Sequence, residues 1–250
     1  MKNMDRTKTG IEGLDTLVEG GFPAGRTMLL SGGCGTGKTI FSMQFLYQGA
    51  MKYKEPGIYV TLDEQPELIR QDVERFGWDL AKLEEENMLA IIDASIAKIG
   101  LASEEELAMP ETGFDLDKLL IEIIRTSKKL GAKRIVIDSI PALGIKYRDE
   151  EEIRKAILKI SYLLMKSGLS SIVTTEIPEE SKEFGKYGIE EFVVDGVIVL
   201  HYMPVGSKSN RTLHIRKMRA TDHSEDLHPI KITKKGIKVE KLEEIDFEEG

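Results

Sequence analysis

The chain has 250 residues, 41% of them hydrophobic, and its 35 Lys plus Arg against 43 Asp plus Glu give a formal net charge of −8. That content fills the core of one large α/β domain, and the acidic balance argues against a general polyanion binder while allowing a local basic channel. Cys34 is the lone cysteine, which excludes an internal disulfide framework and fits a reducing compartment.

The opening residues Met1 to Arg6 hold no apolar core for a signal peptide. No run approaches the roughly 20 apolar residues of a membrane span, so a cytoplasmic protein is expected. Thr9 to Asp15 and Gly20 to Gly25 are punctuated by glycine and read as a turn-rich lead-in, 1–26, to a core spanning 27–202. Thr27 to Ser31 reads as a short buried strand. After it comes Gly32-Gly33-Cys34-Gly35-Thr36-Gly37-Lys38-Thr39, which fits the phosphate-loop spacing of Gly, four residues, Gly, Lys, Thr. A helix from Ile40 to Lys52 follows, with apolar residues at 40, 41, 43, 45, 46 and 47. Glycines let successive backbone amides turn inward toward phosphate oxygens. In such a loop Lys38 bridges the terminal phosphates, the Thr39 hydroxyl ligates magnesium, and the helix dipole faces the same anion.

Pro56-Gly57 breaks the chain before a second strand, Ile58 to Leu62, which ends in Asp63-Glu64-Gln65-Pro66. Ligands of open α/β sheets bind at such carboxyl ends. Glu64 is the better candidate to orient or deprotonate a water attacking a terminal phosphate; the alternative is an exposed loop acid, with Asp63 capping a helix from Pro66 to Phe76. Trp78 reads as a core or interface anchor. A strand from Met88 to Asp93 precedes an irregular acidic stretch, Ala94 to Asp117, taken as a surface excursion or subunit contact. Leu116 to Leu130 has the apolar spacing of a helix.

Arg134 to Ser139 reads as a buried strand whose acid, Asp138, is placed to hold a magnesium shell opposite Thr39, or otherwise to cap a turn before Pro141. A helix from Glu150 to Lys166 and a strand from Ser171 to Glu176 complete a strand-helix rhythm typical of a parallel sheet. The character then changes. A strand from Val193 to Leu200, a turn from Gly206 to Asn210, a strand from Thr212 to Met218 and a hairpin around Lys234-Lys235-Gly236 indicate antiparallel strands within 203–250. Lys217 and Arg219 lie on one side of an extended chain; whether they meet a phosphate or solvent, spacing alone leaves open. Histidines 201, 214, 223 and 228 lack metal-finger spacing.

These residues together resemble the KaiC-like branch of the RecA superfamily of ATPases over nearly the whole chain. Besides the loop, the resemblance is carried by Thr9-Gly10-Ile11, Asp63 to Pro66, Phe76 to Leu83, Gly113 to Leu116, Asp138-Ser139, Thr174 to Glu176, Tyr187 to Phe192 and Lys217 to His223. It implies a RecA-like P-loop core as one 1–250 domain, a mostly parallel twisted sheet flanked by helices with a C-terminal antiparallel extension. It also implies ATP or ADP and Mg2+ as ligands, nucleotide contacts from Gly35 to Ile40, catalytic carboxylates at Asp63 and Glu64, and a magnesium partner at Asp138 with Thr39. Lys217, Met218, Arg219 and His223 would reach nucleotide held by the neighbouring subunit. The implied assembly is a homo-oligomeric ring, usually of six subunits, open to protein partners that the sequence does not name. This single domain is similar to the family's ATPase half. Where the autokinase half carries adjacent Ser and Thr, it has Glu191-Phe192, so self-phosphorylation there has no acceptor. Glu225 and Lys234 depart from the family pattern near the nucleotide, leaving base selectivity open.

The main reading is therefore a magnesium-dependent ATPase, and the resemblance implies a place among regulatory or signalling rings. The alternative is a RecA- or RadA-like DNA-binding recombination protein. Its loop would be Ile177 to Glu191, where Glu179, Glu180, Glu183, Glu190 and Glu191 outnumber Lys182 and Lys186, a balance that repels phosphate backbones.

Overall fold

The structure, a computed structural model, describes residues 4–95, 114–178, 181, 183–205 and 208–240, with backbone alone for 203–205 and 208–210. Most of the Ala94 to Asp117 stretch thus lies outside the described residues, as do 206, 207 and 241–250.

In chain order the elements are β1 (Arg6–Thr7), β2 (Phe22–Pro23), β3 (Thr27–Gly32), α1 (Lys38–Tyr53), β4 (Gly57–Thr61), α2 (Pro66–Glu74), α3 (Leu80–Glu85), β5 (Leu89–Asp93) and α4 (Leu116–Leu130). They continue with β6 (Arg134–Asp138), α5 (Leu143–Lys146), α6 (Glu150–Ser167), β7 (Ser170–Glu176), α7 (Glu190–Val193), β8 (Gly196–Val205), β9 (Lys208–Met218), β10 (Leu227–Thr233) and β11 (Gly236–Val239). The main sheet runs β11-β10-β9-β8-β3-β7-β6-β4-β5. Strands β8 through β5 are parallel to their neighbours, and β9, β10 and β11 add antiparallel pairs. This is the RecA-like arrangement of a mostly parallel sheet between helices with an antiparallel end.

The period-2 alternation of strand side chains divides the core into two layers. Met28, Leu30, Tyr59, Val136 and Ile172 pack with Phe41, Phe45 and Leu46 of α1. Their sequence neighbours Ile58, Val60, Ile135, Ile137 and Val173 pack with Leu119 and Ile123 of α4 and Ile157 and Ile160 of α6. A parallel sheet covered on both faces needs such unbroken apolar strands. Trp78 lies in the first layer, stacked on Tyr47 at 5.4 Å between ring centroids, so it is a core residue.

Helix boundaries follow from capping. Asp115 accepts from the amides of Asp117 and Lys118 to start α4, and Gly131, at φ 64°, ends it. Asp149 likewise starts α6, with Glu150, Glu151 and Glu152 in the first turn facing the positive helix end.

Two differences from the sequence reading have physical causes. The β-branched run at Val193 suggests a strand, yet Val193 closes the short α7, because the buried Glu190 carboxylate accepts from Thr175 Oγ1 and from the amides of Tyr187 and Ile189 and fixes the turn there. Strand β8 therefore starts at Gly196. Residues 208–210 are strand rather than turn, since β8 and β9 stay paired out to Val205 and Lys208.

The β10–β11 hairpin is fastened to α1 by one side chain. Gln44 Oε1 accepts from the Ile237 amide at 2.6 Å, and Gln44 Nε2 donates to the Ile237 carbonyl at 3.0 Å and to Gly10 O at 3.3 Å. The buried amide thus takes the place of a neighbouring strand.

Candidate functional site

The carboxyl end of β3 opens into the loop 32–37, and α1 starts at Lys38. A side chain on Gly32 would put its Cβ 2.5 Å from Leu200 O, so close strand pairing requires glycine. Gly37, the helix N-cap, sits at φ 104°, a conformation glycine adopts freely. Within the loop, Thr36 Oγ1 donates to Gly33 O at 2.9 Å. Lys38 folds back over it: Nζ donates to Gly32 O at 3.0 Å and Gly33 O at 2.9 Å and lies 3.4 Å from Glu176 Oε1. Ile40, one residue past Thr39, is partly buried against the first core layer.

Asp138 shares the sheet face of Val136, the face that α1 covers, so its carboxylate points toward the first turn of that helix. Its Oδ2 accepts from Thr39 Oγ1 at 3.0 Å and from the fully buried Tyr59 hydroxyl, and its Oδ1 accepts from Thr174 Oγ1. The carboxylate is 7% exposed. Burial first, then the Asp138 charge and hydrogen bond, drives the Tyr59 hydroxyl well above its ordinary value, so it remains a donor.

Asp63 and Glu64 leave the end of β4. Asp63 Oδ2 accepts from Ser139 Oγ at 2.9 Å, and the α2 N-cap is Gln65 with no side-chain cap bond, so Asp63 is not the cap of that helix. Thr61 Oγ1 fixes the turn by donating to Glu64 O at 2.7 Å and accepting from Glu64 N at 3.1 Å. Both acids are held above the ordinary carboxylate range. For Asp63 the cause is burial, opposed by the Ser139 bond and reinforced by Asp138; for Glu64 it is burial, then the charges of Asp72, Asp138 and Asp63. Asp63, Glu64, Asp138 and Glu176 thus gather at the carboxyl ends of β4, β6 and β7. The paired Thr39 hydroxyl and Asp138 carboxylate are hard oxygen donors of the kind Mg2+ takes, and the glycine loop beside Lys38 suits a polyphosphate.

Lys217, Met218, Arg219 and His223 are not brought to this loop. Gly32 lies level with Leu200 and Leu213, whereas Lys217 pairs with Val197 near the start of β8. The four-residue offset along β9 is on the order of 13 Å. Lys217 Nζ donates to Glu191 O and Val194 O, both at 2.9 Å, and burial, then Arg219, lowers its pKa. Met218 is buried in its own core, and His223 Nδ1 lies 3.1 Å from Ser224 O.

Three members of the site were missed as site residues from sequence. Glu176 ends a parallel strand beside β3 just as Asp138 ends β6, which is the signal that could have found it. Tyr59 and Thr174 are polar positions inside apolar strands, a weaker signal.

A glycine loop joining a parallel strand to a helix, with a strand-end aspartate meeting the residue after its lysine, is an arrangement that suits a nucleotide-binding α/β protein. The family model "ATPase: KaiC" matches residues 7–244, and the chain belongs to this KaiC-like ATPase family. It is 41% identical over 235 residues to a UPF0273 protein of Methanocaldococcus jannaschii, covering 94% of this chain and 96% of that one. It is 40% identical over 234 residues to the circadian clock oscillator protein KaiC of Synechococcus elongatus, covering 94% of this chain and 44% of the clock protein, so the chain spans less than half of that relative. The crystal structure of a KaiC-like protein from Pyrococcus horikoshii OT3 superimposes with a TM-score of 0.84 at 42% identity, covering 95% of this chain and 100% of that one.

Proposed function

We propose that the chain is a magnesium-dependent ATPase that assembles as a homo-oligomeric ring, a hexamer on the family pattern, with nucleotide at subunit interfaces and a regulatory output in the cytoplasm. The observation that carries this reading is the meeting of Thr39 Oγ1 and Asp138 Oδ2 at 3.0 Å beneath the lysine of the loop. Thr39 and Asp138 would hold Mg2+, which supplies charge neutralisation at the phosphates when bound. Loop amides from Gly35 to Ile40 and Lys38 would bind the phosphates. Glu64, whose raised pKa favours proton uptake, would orient and deprotonate the attacking water, with Asp63 fixed beside it by Ser139.

Ring assembly is supported by the position of Lys217 and Arg219. They lie at the opposite end of the sheet from their own loop, so cations from these positions serve a phosphate only if a neighbouring protomer presents it. Met218 and His223 would accompany them there. In the Ile177 to Glu191 loop of the DNA-binding alternative, the aromatic residues on which bases would stack are Phe184 and Tyr187; Phe184 packs on the core with the Arg216 guanidinium 5.4 Å from its ring, and the Tyr187 hydroxyl donates to Pro141 O. Both side chains are engaged within the chain rather than held out for bases.

The test is nucleotide binding and phosphate release by three proteins. The unaltered chain should bind and hydrolyse MgATP, Lys38→Ala should lose binding, and Glu64→Gln should keep binding while turnover falls at least a hundredfold, the scale of a lost catalytic base. Undiminished hydrolysis by Glu64→Gln would remove that residue from the mechanism.

A further inference from the structure

The loop tip is held from outside by a residue that the nucleotide chemistry above does not use. Arg211 on β9 donates from both Nε and Nη2 to the carbonyl of Gly35, each at 3.1 Å. Its register partners across the sheet are Tyr202 on β8 and Ile230 on β10. Directly opposed residues share a face, and Ile230 belongs to the core layer covered by α1, so Arg211 stands on the sheet face from which the loop springs. The guanidinium lies 4.8 Å from the Tyr202 ring centroid, which restricts its plane.

The tip needs such a contact. Cys34 and Gly35 are exposed, Gly35 has a left-handed φ of 72°, and a Cβ built on it would meet nothing within 4 Å. The Thr36 and Lys38 bonds hold the carbonyls of Gly32 and Gly33 and leave that of Gly35 to Arg211. Turning this carbonyl outward fixes the orientation of the peptide plane that follows it, whose amide belongs to Thr36 and must face inward to meet a phosphate. Among the described residues no carboxylate lies within ion-pair distance of Arg211, so its charge also stands unneutralised beside the anion-binding loop.

We propose that Arg211 is a positioning residue for the phosphate loop, forking onto the Gly35 carbonyl to fix the inward-facing amides and so setting affinity for a nucleoside triphosphate. This rests on the nucleotide-binding reading above and adds to it a residue from the antiparallel extension of the same protomer. A lysine at this position keeps the charge but cannot place two donors in a fixed plane.

The experiment is calorimetric titration of MgATP into the unaltered chain and into Arg211→Ala, Arg211→Lys and, as a control on the same strand, Arg216→Ala, with the thermal midpoint of each nucleotide-free protein. Expected are affinity about tenfold weaker for both Arg211 variants, equivalent to about 1.4 kcal/mol, affinity within about twofold of the parent for Arg216→Ala, and midpoints of the Arg211 variants within about 2 °C of the parent, since the side chain reaches only a surface loop. Parent-like affinity in Arg211→Ala, or full restoration by lysine, would overturn the forked contact as the cause. So would an Arg211→Ala midpoint that falls along with affinity, because general destabilisation would then account for the loss. A parent chain that takes up no MgATP would instead refute the nucleotide-binding reading itself, which separates the two failures.

Discussion

Replacing Asp138 by Ala in the nucleotide-free protein removes the one acceptor shared by the hydroxyls of Tyr59, Thr39 and Thr174. Thr39 is partly exposed and turns to water, but Tyr59 and Thr174 are buried at 1% and 0% exposure, and Thr174 keeps only a long contact to the Ile137 carbonyl at 3.5 Å. Each buried hydroxyl left without a partner costs about 1–3 kcal/mol. Removing a buried carboxylate that stands near Asp63 returns part of that, so the net loss should be about 2–4 kcal/mol. For a chain of this length that lowers the thermal midpoint by roughly 4–16 °C. Tyr59→Phe alone should cost about 1 kcal/mol, because Asp138 keeps its threonine donors. In the double variant the unpaired phenol is gone, and the two changes should fall short of additive by about 1–2 kcal/mol. The assay is a double-mutant cycle by thermal unfolding in EDTA. Additive losses, or an Asp138→Ala variant within about 0.5 kcal/mol of the parent, would refute the view that this carboxylate organises the buried hydroxyls.

The raised pKa of Glu64 means the folded chain binds that proton more tightly than the unfolded chain, so the group's contribution to stability falls as pH rises from about 4 through its folded value. Glu64→Gln should therefore raise the midpoint of the nucleotide-free protein at pH 7, and the gain should shrink on acidification toward pH 4; a gain independent of pH would contradict this. At the other end of the sheet, fully buried Arg134 donates from Nε to Glu55 at 2.7 Å and from Nη1 to Phe45 O at 2.8 Å, with Phe45 and Tyr53 rings on its faces. Glu55→Ala, which strands that charge, should cost about 3 kcal/mol in thermal unfolding and more than Arg134→Met, which removes it. Equal losses would show that the pair is not what matters there.

The parts of this protein that were legible in its sequence are those fixed locally. The loop's spacing needs only neighbouring residues, and the helix Leu116–Leu130 falls where its apolar period places it, because Asp115 and Gly131 cap it. Core strands β3, β4, β5, β6 and β7 were placed to within a residue or so, since both faces are covered and their apolar runs are unbroken. Contacts between distant segments were not legible. The Val193 misreading arose because Glu190 draws its partners from Thr175 and the 187–189 turn. Arg211 and Gly35 are 176 positions apart, and only the β8-β9-β10 register brings them together. Short helices such as α3 and α5 carry too few turns to show a period. In the candidate site, Lys38, Thr39 and Asp138 could be named from motif and strand-end position, whereas Glu176 and Tyr59 join them only through the order of β4, β6, β7 and β3 across the sheet.

The central claim is that nucleotide binds at this loop and that a second protomer completes the site. Its most direct measurement is the solution mass of the purified chain by light scattering, with and without ATP and Mg2+, together with the amount of adenine nucleotide retained. The expected result is a closed oligomer carrying about one nucleotide per chain, with its assembly weakened by Lys38→Ala. A chain that stays a monomer and retains no adenine nucleotide in the presence of Mg2+ would contradict the account.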